Sequence, residues 1–132
     1  MKNLFGSKEE RFDEACEYYK QAATQYKLGK DWERSAAVNL KAARLQAQLK
    51  SYEAIDFRME AGNMMRKINT AEAIKLYDSC CESYCLDNRI SSAARLKKKI
   101  AEIYEEDLEY SLAAKYYQEA VDLYEMEGES SM

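Results

Sequence analysis

The feature that most constrains the fold of this chain is a small–large–small triplet of residues that recurs about every twenty positions. Ala15, Tyr19 and Ala22 form the first triplet. The later ones keep the i, i+4, i+7 spacing and are Ser35/Asn39/Ala42, Ala54/Arg58/Ala61, Ala73/Tyr77/Cys80, Ala94/Lys98/Ala101 and Ala113/Tyr117/Ala120. Because this spacing places residues on one helix face, the sequence predicts six similar helices. A hairpin of two such helices repeats about every 40 residues, which is typical of a stacked solenoid.

Composition favours the same all-α architecture. The 132 residues contain no proline and only four glycines, so little interrupts a helix. Residues 1–7 are expected to be a flexible lead, residues 8–128 a helical repeat domain, and residues 129–132 a tail. Short connections between the helices require antiparallel neighbours, which gives three hairpins.

The predicted breaks between helices follow turn and capping residues. Gly29 is expected to end the first helix in a left-handed conformation, and Asp31 to cap the second. Ser51 is expected to cap the third helix, which should stop near Ile68. Asn69 and Thr70 are expected to cap the fourth. The remaining breaks are predicted at Asn69-Thr70, at Asp87-Asn88 and within residues 105–109, and the last helix is expected to fade at Gly128.

The repeated triplets are interpreted as packing residues rather than as a binding site. Small residues let helices approach closely, and a bulky residue at i+4 fills the space beside a neighbour. Tyr19, Tyr77 and Tyr117 are therefore predicted to lie in the core.

Charge and cysteine content restrict the classes of function. A net charge of −4 argues against a general nucleic-acid-binding protein. The absence of histidine removes the commonest general base, and no Gly-rich phosphate loop is present, so neither catalysis nor a cofactor is expected. Cys81 and Cys85 share a helix face and could hold a metal ion. The favoured interpretation is that these two residues, Cys16 and Cys80 are small buried residues in a reducing compartment.

The repeat is similar to the tetratricopeptide repeat, as the segment FDEACEYYKQA at residues 12–22 illustrates. That resemblance implies a right-handed α-α superhelix. Four stretches resemble a more specific family, the soluble NSF attachment proteins (SNAPs). They are Leu-Phe-Gly at residues 4–6 followed by EACEYY at 14–19, then Trp32, then DFRMEAGN at 56–63, and IAEIYE at 100–105.

The SNAP resemblance implies an adaptor of vesicle transport and membrane fusion. Such adaptors bind assembled SNARE complexes and recruit the ATPase NSF, which takes those complexes apart. The family contacts NSF through a C-terminal bundle and tail, and the present chain corresponds to the N-terminal part. The resemblance therefore implies a cytoplasmic protein that associates peripherally with membranes, and NSF stimulation is not expected of these 132 residues.

The candidate SNARE contacts are basic. Residues 89–99 contain five cations and no acid. The resemblance assigns SNARE contact first to Arg89 and Arg95, and it matches Arg66 and Lys67 to a basic pair at the end of the third helix. Lys98 and Lys99 share a face with Arg95 and are included as candidates, whereas Lys97 is expected to be solvated. The alternative is a basic face that is merely solvated and balanced by nearby acids.

Leu4 and Phe5 are the candidate membrane contacts, because the family inserts apolar residues of this loop into the bilayer interface.

The alternative function is a generic helical-repeat scaffold that binds a peptide or partner helix in its groove. A SNAP needs the assembled four-helix SNARE bundle, whereas such a scaffold would bind a short linear motif.

Overall fold

A computed structural model of the chain shows six α-helices and describes residues 6–49 and 52–131, with side chains as far as Gly128. The helices are α1 (Lys8–Leu28), α2 (Trp32–Gln48), α3 (Glu53–Met65), α4 (Thr70–Leu86), α5 (Ile90–Glu106) and α6 (Tyr110–Ser131). No strand occurs within these residues. The predicted all-α fold with six helices is confirmed.

Helices α1, α2 and α4 begin where a side chain accepts a hydrogen bond from one of the first backbone N–H groups. Asp31 Oδ1 accepts a hydrogen bond from the backbone nitrogen of Arg34 at 3.2 Å, and Asn69 Oδ1 accepts one from the backbone nitrogen of Glu72 at 3.2 Å. Both caps were predicted, and each satisfies a donor that the helix itself cannot. The predicted cap Ser51 lies outside the described residues.

Three helices end in the same way, and this corrects the expectation for Gly29. Gly29 has a φ of −81°, and the left-handed residue is the next one, Lys30, with a φ of 60°. Asn88 and Leu108 adopt the same conformation after α4 and α5. In each case the backbone N–H of the residue after the left-handed one donates to the carbonyl oxygen five residues before it. Asp31 N, for example, donates to Tyr26 O at 2.8 Å. This closing bond, which is the Schellman arrangement, fixes the left-handed position whatever residue occupies it.

The helix ends otherwise differ from the sequence expectations by small amounts. The α3 helix ends at Met65, and turns connect it to α4. The α6 helix continues through Gly128 to Ser131, because a single glycine weakens a helix without terminating it.

The small residues of the triplets are buried in α2 to α6. These residues are Ser35, Ala42, Ala54, Ala61, Ala73, Cys80, Ala94, Ala101, Ala113 and Ala120. Tyr77 is fully buried, as predicted, while Tyr19 is half-buried. The small residues thus allow close helix packing, which is their predicted role.

Tyr117 departs from the predicted core. Its side chain is 37% exposed and its hydroxyl donates to Glu105 Oε1 at 2.8 Å, whereas Tyr116 is buried. At 100° per residue, Tyr116 and Tyr117 lie about 50° to either side of the midpoint between Ala113 and Ala120. The spacing alone therefore does not distinguish them, and the structure buries the side that carries Tyr116.

The chain divides into two compact units, and the boundary between Leu76 and Tyr77 falls inside α4. In the first unit, α2 packs on both α1 and α3. Its core includes Ala36, Ala61 and Met64, and the partly buried Trp32 and Leu76 pack against them. In the second unit, α5 packs along α6.

Candidate functional site

The basic segment, residues 89–99, covers the turn before α5 and the first half of that helix. Arg95 and Lys98 are exposed, as predicted. The Arg95 side chain makes no ion pair or hydrogen bond with any described residue. Lys98 lies 3.9 Å from Glu102 Oε1 in an ion pair between exposed side chains, which contributes only a few tenths of a kcal/mol. These two cations are accessible to a partner.

Arg89 and Lys99 lie against aromatic rings of α4. The Arg89 guanidinium stands 4.7 Å from the centroid of the Tyr84 ring, and the Lys99 ammonium 4.8 Å from that of Tyr77. A cation over a ring face is stabilised by about 0.5–2 kcal/mol. The ring gives Arg89 an intramolecular reason to occupy the N-terminus of α5, where the helix dipole disfavours a cation.

Arg66 and Lys67 lie in the first unit, at the end of α3. Arg66 is the C-terminal capping residue of that helix. Lys67 is exposed and its ammonium stands 5.4 Å from the centroid of the Trp32 ring. The structure thus groups four of the six candidate cations in the second unit and these two in the first.

Lys97 is not solvated, contrary to the expectation from the sequence. Its side chain is only 18% exposed, and its ammonium lies 2.8 Å from Glu119 Oε1 and 3.6 Å from Asp78 Oδ1. The Tyr116 hydroxyl donates to Asp78 Oδ2 at 2.8 Å. This polar cluster, formed by Asp78, Lys97, Tyr116 and Glu119, joins α4, α5 and α6.

The cluster perturbs the titration of its members. Burial alone would lower the pKa of Lys97, but the hydrogen bond to Glu119 and the charges of Glu119 and Asp78 outweigh it, so the pKa is raised. Burial also raises the pKa of Tyr116, and the hydrogen bond to Asp78 adds to that rise. Both shifts favour the protonated forms that hold the cluster together.

One sequence signal could have located Lys97. Ala93, Ile100 and Tyr104 are spaced i, i+7 and i+11 on α5, and Lys97 occupies the i+4 position of the same stripe. A lysine inside an otherwise apolar stripe usually has a carboxylate partner, since burying an unpaired charge is costly. The sequence did not identify the partners, because they come from α4 and α6.

The remaining candidates concern the termini and the cysteines. Leu4 and Phe5 lie outside the described residues. Cys16, Cys80 and Cys81 are buried and Cys85 is half-buried, and all four are free thiols. Burial raises the pKa of Cys81 to about 12, which suppresses the thiolate that binds metals.

The described residues contain neither a metal-binding cluster nor a membrane-spanning helix. No group of three or more cysteine or carboxylate side chains there could hold a metal ion. None of the described helices has an apolar stretch long enough to cross a bilayer.

Comparison with known proteins supports the resemblance seen in the sequence. The family model described as "Soluble NSF attachment protein, SNAP" matches residues 1–132. The chain belongs to the SNAP family. Human alpha-soluble NSF attachment protein is 35% identical to it over 130 residues, which are 97% of this chain and 44% of the relative. The corresponding beta protein of Bos taurus is 33% identical over 133 residues, 99% of this chain and 44% of the relative.

A viral SNAP is also similar. A soluble NSF attachment protein homolog of Fowlpox virus is 37% identical over 109 residues, 74% of this chain and 38% of the relative. The chain therefore spans less than half the length of the curated SNAP relatives that it matches. SNAP family proteins are adaptors without enzymatic activity, which agrees at family level with the expectation that the chain is not an enzyme.

Proposed function

We propose that this chain is the SNARE-binding part of a SNAP adaptor of vesicle fusion and that Arg95 of α5 is its main contact with the assembled SNARE complex. The observation that carries the proposal is the exposure of Arg95, which has no partner among the described residues, within a segment that contains no acid. A Neurospora crassa relative, 29% identical over 128 residues, is named a probable vesicular-fusion protein. Its name supports the same cellular role.

The mechanism is electrostatic docking. A SNARE bundle has an acidic exterior, so exposed cations on one face of α5 would steer and orient it. Lys98 would add to this contact from the same face. Arg89 and Lys99 would contribute with their charged groups already positioned by Tyr84 and Tyr77, which lowers the entropy lost on binding.

A pull-down with assembled SNARE complex tests this role. Arg95→Glu should weaken binding about five- to tenfold at low salt and less at high salt, because screening shortens the range of exposed charges. Lys41→Glu is the matched control, since Lys41 is an exposed helix residue outside the basic segment. Equal loss in the two variants would show that net charge, and not Arg95, governs binding.

NSF recruitment and membrane attachment complete the proposal. NSF would be bound by the C-terminal region that the longer relatives contain, so the 132 residues should bind SNARE complex without stimulating the ATPase. Leu4 and Phe5 would provide a weak, peripheral contact with the cytoplasmic face of a membrane. Vesicle flotation of a full-length protein tests this contact, and flotation unchanged by Leu4→Ser with Phe5→Ser would reject it.

A further inference from the structure

The exposed apolar side chains of the second unit are concentrated on α6 and the turn before it. Among the described residues, seven of the twelve exposed large hydrophobic side chains lie from Leu108 to Met126. Four of these seven form one stripe along α6 and are 37–67% exposed, namely Tyr110, Tyr117, Val121 and Tyr124. A continuous apolar stripe of this kind on a solvent-facing helix usually marks an interface.

The stripe has the spacing of a coiled-coil seam. Ala114 and Gly128 are also exposed and complete it, so that its successive positions are four, three, four, three and four residues apart. This alternation keeps one seam of a helix facing a partner helix in a left-handed coiled coil. One of the two alternating seam positions is always tyrosine, and the other always holds a smaller residue, Ala114, Val121 or Gly128.

Gly128 has no packing role within the chain. Glycine is unfavourable inside a helix, yet α6 continues through this residue to Ser131. A Cβ atom built at Gly128 would meet no atom within 4 Å. No contact within the described chain therefore requires glycine here, whereas a large side chain from a second helix would have space to pack against it.

We propose that the α6 stripe binds the α6 stripe of a second copy of this chain, in an antiparallel pair. Because the second helix runs in the opposite direction, each tyrosine position of one copy faces a small-residue position of the other. Three kinds of layer result, and each occurs twice by two-fold symmetry: Tyr110 with Gly128, Tyr117 with Val121, and Tyr124 with Ala114. Every layer joins one large and one small residue, which fills the interface evenly.

The polar residues beside the stripe also fit a second copy. On the solvent side, the antiparallel register brings Lys115 next to Glu125 of the second copy, and Gln118 next to Asp122 of the second copy. All four of these residues are exposed. No carboxylate opposes another carboxylate in these pairs, so this flank of the stripe is complementary to itself.

Sedimentation velocity of the 132-residue chain tests the proposal. A single helix pair is a small interface, so the chain should convert from monomer to dimer between about 1 and about 100 μM. Val121→Glu should abolish the dimer, because it places a carboxylate in the layers beside the two-fold axis. Leu28→Glu is the matched control, since Leu28 is an exposed aliphatic residue at the end of α1 and its replacement should leave the dimer unchanged. High salt should also leave the dimer intact, because its contacts are mainly apolar.

A compensating pair of substitutions tests the register. Ala114→Tyr should weaken dimerisation about tenfold, because it opposes two tyrosines in one layer, and Tyr124→Ala should weaken it by a similar factor, because the layer loses its large residue. The combined variant exchanges the two residues and restores a layer of one tyrosine and one alanine. Its dissociation constant should therefore return to within about threefold of the parent value. Both positions are exposed in the monomer, and circular dichroism verifies that each variant is folded.

Three outcomes would overturn the proposal. They are a monomer throughout the concentration range, equal loss of the dimer in Val121→Glu and Leu28→Glu, and a combined variant that dimerises no better than the single ones. A monomer would leave the stripe to a helix of another protein or to the further sequence of longer relatives. The measurement contains no SNARE complex, so failure of this proposal is distinguishable from failure of the proposed adaptor function.

Discussion

Adjacent residues of the same type have opposite environments at two places in the second unit. Lys97 is held by two carboxylates while Lys98 is exposed, and Tyr116 is buried while Tyr117 bonds to Glu105 at the surface. A step of one residue turns a helix by about 100°, which is enough to move a side chain from core to solvent. The triplet spacing predicted the helix face correctly but not its centre. For Lys97 of α5 the centre depends on Asp78 of α4 and Glu119 of α6, and for Tyr116 of α6 it depends on Asp78.

The two lysines should differ strongly in their contribution to stability. Lys97→Met should lower the free energy of unfolding by about 1–3 kcal/mol, because it leaves the carboxylates of Asp78 and Glu119 partly buried without their cation. Lys98→Met should change it by less than about 0.5 kcal/mol. Urea denaturation of the two variants measures both values, and similar losses in the two would contradict the assignment of Lys97 to the cluster.

The cluster should also make the protein sensitive to alkali. The pKa values of Lys97 and Tyr116 are raised on folding, so the stability that these groups provide is complete below their unfolded values of about 10. This stability is lost as pH rises through the pKa values of the two groups in the folded state, because the unfolded chain releases these protons at lower pH.

Tyr116→Phe tests this pH dependence. The variant lacks one of the two groups, so its urea midpoint should fall less steeply than that of the parent between about pH 9 and about pH 11. Tyr110→Phe is the control, since Tyr110 is 67% exposed. Parallel curves for parent and Tyr116→Phe would show that the phenol does not contribute.

At the scale of elements, three interhelical turns share one backbone closure. Their left-handed residues are Lys30, Asn88 and Leu108. The sequence predicted the positions of these turns from Gly29 and from Asp87-Asn88, because glycine and asparagine are common at helix ends. It did not predict the left-handed conformation of Lys30 or Leu108, since side chains of these types disfavour that region and the closing hydrogen bond imposes it.

Leu108 offers a direct test of whether the left-handed conformation strains the backbone of a residue other than glycine. Leu108→Gly should raise the free energy of unfolding by about 0.5–1 kcal/mol, because glycine adopts a φ of 61° without a Cβ clash and because the leucine side chain is 68% exposed. Ala37→Gly, at an exposed position inside α2, should lower it by about 0.5–1 kcal/mol. Thermal denaturation distinguishes the two signs, and a destabilised Leu108→Gly variant would refute the strain.

At the scale of the whole molecule, the chain consists of two compact units with surfaces of opposite charge. The first unit has a groove lined by five carboxylates, and the second has the acid-free segment 89–99. The sequence predicted the basic segment because its residues are contiguous. It did not predict the groove, since the lining residues come from three helices and become neighbours only through packing.

The adaptor function predicts that different regions of the family's longer chains bind the SNARE complex and NSF. The 132 residues should bind assembled SNARE complex but leave the ATPase rate of NSF unchanged, because we propose that NSF is bound by the C-terminal region of the longer relatives. A coupled ATPase assay with SNARE complex, NSF and this chain measures the rate, with a full-length SNAP as the positive control. Stimulation by the 132 residues alone would contradict this division.

The most direct test of the adaptor function is an equilibrium binding measurement of this chain against the assembled four-helix SNARE complex and against each isolated SNARE peptide. The adaptor function predicts saturable binding to the assembled complex that weakens with salt, and at least about tenfold weaker binding to every single peptide. Equal or tighter binding to one isolated peptide would contradict it and would favour a scaffold that recognises a linear motif.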